Sequence, residues 1–393
     1  MKPALFFLFT FWVAILNAQV ELENQVKQNS VETSQTYQFE TVIDLDATPV
    51  KNQAHTSTCW SFSGISFVES EIIRTSGKRL DLSEMFVVRM TYVEKAKKFV
   101  RMHGKINFAQ GGEAPDVFYM LNKYGALPDI AYSGLLNGAE KLDHDNLEKE
   151  LTKFMDDVIS PPYGKFNTNW LAEFNEILDI YIGVVPDKFE YEGKTYTPRS
   201  FANEYVNLNP SDYITITSFT HHPFYEPFIL EIPDNWIWAE AYNLPLNEMM
   251  DILNGALKKG YSVAWATDIS EKGFSNANGL AIVPQKPWME MSRQEIVQMF
   301  EGPHKELEVT QELRQIAFDT YETEDDHGMH FTGIVKDQNG DIFYIVKNSW
   351  GPKQNPYRDG YIYASEAFVK YKTISFLLHK DTLTSKLKKK LNL

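Results

Sequence analysis

One cysteine in 393 residues is the scarcest feature of this chain, and it excludes a good deal. A lone Cys59 closes no internal disulfide, and there is no CxxC pair to hold zinc or exchange thiols. No Walker-type phosphate loop and no nucleic-acid signature occurs. The formal net charge of -15 argues against a nucleic-acid partner. The apolar run from Ala4 to Leu16 is short for a membrane-spanning helix. Repeats and disordered tracts are also missing, and at 43% hydrophobic and 14% aromatic the chain can bury a large core.

What is there begins with VKNQAHTSTCWSFS, Val50 to Ser63. Thr56, Ser57 and Thr58 are candidate N-caps, and Trp60, Phe62, Ile65, Val68 and Ile72 follow mostly at three- to four-residue spacing. The spacing predicts a helix starting near Cys59. The positive end of a helix favours thiolate over thiol, and a neighbouring imidazolium lowers the thiol pKa further. Gln53, six residues earlier, sits in a loop that can fold back, so that its amide and the Cys59 N–H face a developing oxyanion. The plainer reading of a lone cysteine is a small buried hydrophobe, and only its surroundings decide against that.

Those surroundings lie near the other end, in HGMHFTGIVKDQNGDIFYIVKNSWG, His327 to Gly351. Phe331 to Val335 and Ile342 to Val346 are predicted strands, with Asn339-Gly340 as the hairpin turn. A histidine starts one strand and Asn348 ends its partner, the arrangement in which an amide orients an imidazole base. Strict pairing puts His327 on the face of Asn348 and His330 on the opposite face. The same register sets His327 roughly 13 Å along the strand from Asn348, so a bulge or longer loop must intervene. On geometry alone the choice between His327 and His330 stays open.

Together, Asn52-Gln53 before Cys59-Trp60, a histidine six residues before a glycine, and NSWG resemble the papain superfamily, within it the aminopeptidase C and bleomycin hydrolase branch. The resemblance implies an α+β, papain-like two-lobed fold: a helical lobe, an antiparallel β-barrel-like lobe and a mostly helical insertion. It implies a cysteine peptidase working through a thioester acyl-enzyme, with Cys59 as nucleophile, His327 as base because the glycine six beyond it is Gly333, Asn348 as orienting amide and Gln53 as oxyanion donor. Trp350 would shield the Asn-His hydrogen bond. Gly111 and Gly112, in QGGEAPDVF, would present backbone to an extended peptide; the alternative is a tight turn before the helix near Ala114. A homo-oligomer, hexameric in the family, is implied by resemblance alone. Two departures from minimal papains, Thr56 where a second cysteine is usual and a Cys59-to-His327 separation about twice as long, suit the aminopeptidase C branch.

The chain divides into a signal peptide (1–18), an N-terminal segment (19–44), a peptidase domain (45–380) with an insertion at about 137–245, and a basic tail (381–393). Met1-Lys2, the apolar run and Asn17-Ala18-Gln19 predict cleavage after Ala18, hence export to the periplasm or outside, with no stable membrane insertion afterwards. The basic run Lys95, Lys97, Lys98, Arg101 reads as a solvated helix face. His221-His222, or His327 and His330 with Glu324, Asp325 and Asp326, invite a metal reading, but HxxH at a strand start splits its rings across two faces. No metal or cofactor is expected, and peptides are the expected partners. The expected activity is that of an aminopeptidase, in which the resemblance implies that the Leu393 carboxylate meets the substrate amine; the alternatives are an endopeptidase of the same fold or a catalytically silent peptide-binding protein. The tail DTLTSKLKKKLNL differs from the family's usual arm.

Overall fold

The computed structural model describes Leu22 and residues 37–136, 138–161 and 164–393. The expected signal peptide lies outside the described residues. Strand β1 (Glu40–Asp44) precedes three helices, α1 (Cys59–Ser76), α2 (Glu84–Arg101) and α3 (Ala114–Tyr124). Helices α4 (Asp145–Ile159) and α5 (Trp170–Ile182) follow, then a separate hairpin of β2 (Phe189–Tyr191) and β3 (Lys194–Tyr196). Next come β4 (Tyr213–Thr217), β5 (Pro227–Ile229), β6 (Glu240–Asn243), α6 (Leu246–Lys258) and β7 (Val263–Thr267). Two short strands, β8 (Phe274–Ser275) and β9 (Leu280–Ala281), lead to α7 (Arg293–Glu301) and α8 (Gln311–Asp319). The chain ends with β10 (His327–Lys336), β11 (Ile342–Lys347), β12 (Tyr361–Ser365), α9 (Glu366–Lys372), β13 (Thr373–His379) and α10 (Ser385–Lys390).

Local chemistry sets the helix ends. The Ser83 hydroxyl accepts from Phe86 N–H at the start of α2, and Glu113 and Asp116 form a reciprocal capping box on α3. Gly77, at φ 71°, ends α1 in the left-handed conformation that costs glycine little. Every residue of α1 from Cys59 to Ile72 is buried, which explains its small residues: a Cβ on Gly64 would lie 2.6 Å from Val117.

The helical lobe packs α1, α2 and α3 with α4 and α5 around Phe67, Val68, Phe86, Phe174 and their neighbours. The other lobe is built on one large mixed sheet in the order β5-β6-β4-β13-β7-β10-β11-β12-β9-β8, with β1 also paired to β10. Its core stacks Trp265 on Phe331, rings 4.5 Å apart, among Met249, Leu253 and Phe376. In residues 137–245 helices α4 and α5 carry the first part, and the last part adds β4, β5 and β6 to the sheet.

Strand β10 positions the site. Its first half pairs with β7 and its second half with β1, and it bends at a bulge between Phe331 and Gly333. Gly333 is required there, since a Cβ would fall 2.2 Å from the Ile43 carbonyl oxygen. The tail folds as α10 onto the sheet lobe, with Leu387 and Leu391 buried and Lys259 Nζ donating to Thr382 O at 2.9 Å.

Candidate active site

Cys59 is the first residue of α1 and is 7% exposed. The N-cap is Thr58, whose hydroxyl pairs with that of Thr56 at 2.6 Å instead of capping the helix. The elbow around the cysteine is held from the side by the loop before α3. Trp60 Nε1 donates to Gln110 O at 3.0 Å, Gln110 Oε1 accepts from Ser57 N–H at 3.0 Å, and Gln110 Nε2 donates to Glu148 at 2.6 Å. Sequence reading passed over Gln110, whose only signal was its place before the glycine pair.

Lys95 corrects an expectation. It is 1% exposed, and its ammonium donates to the carbonyls of Ala109 (2.9 Å) and Gly111. The basic run is therefore not one solvated face: Lys95 points inward under this loop because α2 turns that position toward α3. Lys97 pairs with Glu94, Lys98 donates to Trp236 O at 2.6 Å, and Arg101 is exposed.

His327 opens β10 on the other side of Cys59. Nε2 of His327 lies 2.8 Å from Asn348 Oδ1, and the Ser349 N–H points at the same oxygen from 2.8 Å. The amide oxygen therefore faces the ring, Nε2 carries the proton, and Nδ1 is the nitrogen left for proton exchange. Trp350 stacks obliquely over His327 with ring centres 5.1 Å apart and is itself buried. The register explains the reach. The turn centres on Asn339, with Lys336 opposite Ile342, and the bulge shifts the pairing so that His330 faces Lys347. Continued, this sets His327 across from Trp350, two residues nearer Asn348 than strict pairing about Asn339-Gly340 gives, with Asn348 on the same face.

His330 points away into the core. Its Nδ1 meets Ser66 Oγ at 3.0 Å, it is fully buried, and burial with Lys347 nearby holds its pKa well below the usual imidazole value. Burial pushes the Cys59 thiol up, the Gly328 backbone amide opposes this, and Asp325, Asp234 and Asp326 add to the rise. A thiolate forms here only with a cation created beside it, as when the thiol proton passes to an adjacent imidazole.

Gln53 is tied down differently from the rest. It is 0% exposed; its Nε2 donates to Thr56 O at 2.7 Å and its Oε1 accepts from Ser349 Oγ at 2.6 Å. It braces the Cys59 loop against the Asn348 strand end, and it is not on the cavity wall.

That cavity holds about 340 Å³, and Leu22, Cys59, Trp60, Gly111, Gly112, Trp265, Ala266, His327 and Gly328 are among the residues lining it. Both glycines line it, and both are needed for close packing: a Cβ on Gly111 would strike Asp234 and one on Gly112 would meet the Trp60 ring at 2.9 Å. The lining includes six carboxylates, Glu113, Glu148, Asp234, Glu324, Asp325 and Asp326, and among the described residues no lysine or arginine.

His221, His222 and Glu231 place their ligand atoms within 4.8 Å of one another and are not among the residues lining this cavity. Gln315 Oε1 accepts from Thr220 N–H, so its nitrogen faces His221 Nδ1 at 3.0 Å. Nε2 of His221 is then the protonated nitrogen, 3.0 Å from Glu231. A metal would need that nitrogen bare and Nδ1 protonated against another donor, so the trio is built as a hydrogen-bonded cluster.

The Peptidase C1-like family model matches residues 12–393. The chain is 23% identical to an aminopeptidase C of Streptococcus thermophilus, over 93% of this chain and 89% of that one. It is 23% identical to an aminopeptidase E of Lactobacillus helveticus, over 91% and 86%. The solved structure of PepW from Lactobacillus rhamnosis HN001 (DR20) superposes with a TM-score of 0.70 at 20% identity, covering 98% of this chain and 92% of that one, and shares its papain-like fold.

Proposed function

The chain belongs to the Peptidase C1-like family and is a cysteine peptidase, and from that premise we propose that it is an aminopeptidase acting through Cys59, His327 and Asn348. The observation that carries the assignment of residues is the 2.8 Å contact between His327 Nε2 and Asn348 Oδ1, on a cavity wall shared with Cys59.

The chemistry follows from that geometry. His327 Nδ1 takes the thiol proton, Asn348 keeps Nε2–H aimed at its oxygen, and the imidazolium offsets the thiolate charge that burial disfavours. Sulfur attacks the scissile carbonyl, and the oxyanion faces the Cys59 N–H at the start of α1, where unpaired helix amides concentrate positive potential. The imidazolium returns its proton to the leaving amine as the C–N bond breaks, giving a thioester. Water, deprotonated by the same imidazole, then attacks the thioester and releases the acid with the thiol restored. Gln53 is assigned to the oxyanion site on the family resemblance alone: its Nε2 already donates to Thr56 O and it is not among the residues lining the cavity, so only its second amide proton is left for that role.

The test compares a fluorogenic amino-acyl substrate bearing a free amine with its N-acetylated twin, using reduced enzyme. Cleavage of the free amine alone supports the aminopeptidase; equal cleavage of both makes it an endopeptidase. One observation favours that second reading: no residue of 381–393 lines the cavity, so the tail does not close it. Export after cleavage at Ala18 is proposed from the charged start and apolar run alone, and amino-terminal sequencing of the mature protein tests it. Homo-oligomerisation is proposed on resemblance alone, and light scattering tests it.

A further inference from the structure

The family-like way to recognise a substrate's free amine would use the terminal carboxylate, yet residues 381–393 fold onto the sheet lobe. Leu387 and Leu391 are buried there, Lys390 Nζ sits 2.9 Å above the Tyr225 ring, and none of the thirteen lines the cavity. Some other group must meet the ammonium if the enzyme trims amino termini.

The cavity supplies one. Carboxylates from three distant parts of the chain converge on the wall that also holds Cys59 and His327. Asp234, in the β5–β6 loop, takes a hydrogen bond from Asn107 Nδ2 at 2.8 Å and lies against Gly111, where a Cβ would be 1.9 Å from its Oδ2. Glu113 precedes α3, is 6% exposed, and its carboxyl pairs with another acid, Asp325, two residues before His327, with Asp234 and Asp116 also near enough to act on it. Among the described residues none of these three has an ion pair, and the wall carries no lysine or arginine. Such a set repels anything anionic; buried Lys95 offsets Asp234 in part, but its ammonium is held by the Ala109 and Gly111 carbonyls and it does not line the cavity, so an entering cation is still favoured.

We propose that Asp234 with the Glu113–Asp325 pair binds the free ammonium of the substrate's first residue, and so makes this cleft an aminopeptidase site without the chain's own terminus. The inference rests on the aminopeptidase reading above and names the groups behind it. An ammonium has three donors and matches a carboxylate plus a carboxyl pair that shares a proton. Burial and mutual repulsion hold Glu113 well above the usual carboxylate range, and burial raises Asp325 to about 7, so the pair carries a proton it can release when an ammonium arrives. The position suits the first residue of a peptide, because Cys59, Gly111, Glu113, Asp234 and Asp325 line one cavity, so that the carbonyl can lie at Cys59 with the amine on the Gly111–Glu113 side.

The test measures kcat/KM for a free-amine leucyl amide and its N-acetylated twin in the full chain and in Asp234→Asn and Glu113→Gln variants. Each variant is expected to lower the free-amine value by about tenfold or more, mainly through KM, while the N-acetylated value holds or rises, so that the preference narrows. Asp234→Glu should restore part of it. Thermal melting and near-UV circular dichroism check folding, and Asp325→Asn replaces Glu113→Gln if that variant does not fold. Folded variants that keep the wild-type preference overturn the proposal and leave the aminopeptidase reading standing. Wild-type enzyme without any preference overturns both. A chain extended by three glycines after Leu393 is expected to keep its preference; losing it would assign amine recognition to the terminus and overturn the proposal.

Discussion

At the scale of single residues, the two histidines of HGMH separate by environment, not by type. His327 faces the cavity with its Nε2 on Asn348, whereas His330 is sealed in the core against Ser66. His327→Ala is expected to lower kcat/KM by on the order of a thousandfold or more with little change in melting temperature. His330→Ala should keep activity within about tenfold and cost roughly 1–3 kcal/mol of stability by opening a small cavity and leaving Ser66 with Lys347 as its one remaining side-chain partner. Steady-state kinetics and thermal melts on both variants check this, and the reverse order would refute the assignment. Cys59→Ala should leave a folded protein without turnover; residual peptidase activity above about one part in a thousand would count against a thiol mechanism. Gln53→Ala is expected to cost about a hundredfold in kcat if its second amide proton faces the oxyanion. Because the same side chain braces Thr56 against Ser349, it should also lower the melting temperature, and a pure stability loss would reduce Gln53 to a brace.

At the scale of elements, the site exists because β10 lies directly against the first turn of α1. Gly328 is the contact: a Cβ there would stand 2.7 Å from Ser63 Oγ and 3.1 Å from the Trp60 backbone. Gly328→Ala must push β10 off α1 by a few tenths of an ångström and is expected to reduce kcat at least tenfold, with about 1–3 kcal/mol lost in stability. Kinetics with a chemical denaturation curve would show both, and an unchanged kcat would mean that the pairing of Cys59 with His327 tolerates the shift. The bulge at Phe331/Gly333 acts in the same way on the other axis. It changes the register so that His327 stands across from Trp350, and it bends the strand so that β7 and β1 can both pair with it.

At the scale of the whole molecule, several buried carboxyl groups sit above their ordinary range, and this makes stability depend on pH. Glu306 is raised to about 7, chiefly by burial, although Ser365 and the Val283 amide favour its charged form; Asp116 is raised to about 7 by burial against the pull of Lys95. A carboxyl whose folded pKa exceeds its unfolded value binds its proton more tightly in the folded state. Stability from these groups is therefore greatest below about pH 4 and falls as pH rises through about 7, then levels off. Glu306→Gln is expected to flatten that decline over pH 5 to 7 in a series of thermal melts, and an unchanged slope would show that Glu306 ionises normally.

Some of this was legible in the chain itself. The helix start at Cys59 follows from the apolar period, although no hydroxyl caps it, and the β10–β11 hairpin follows from two apolar runs around Asn339-Gly340, although the turn spans residues 337–341 and not that pair alone; both signals are local and sit within a few residues of what they determine. The fold class was legible only through the resemblance that those short motifs carry, not from the strand and helix periods themselves. What only the tertiary structure decided is everything that joins distant positions. No local signal reveals that Lys95 turns inward under Gly111, that Gln53 leaves the cavity wall, or that residues 113, 234 and 325 share one wall. Side chains on one α-helix or strand reveal their face by periodicity, but which other element meets that face depends on how the lobes close, and burial then sets the charge each group can carry.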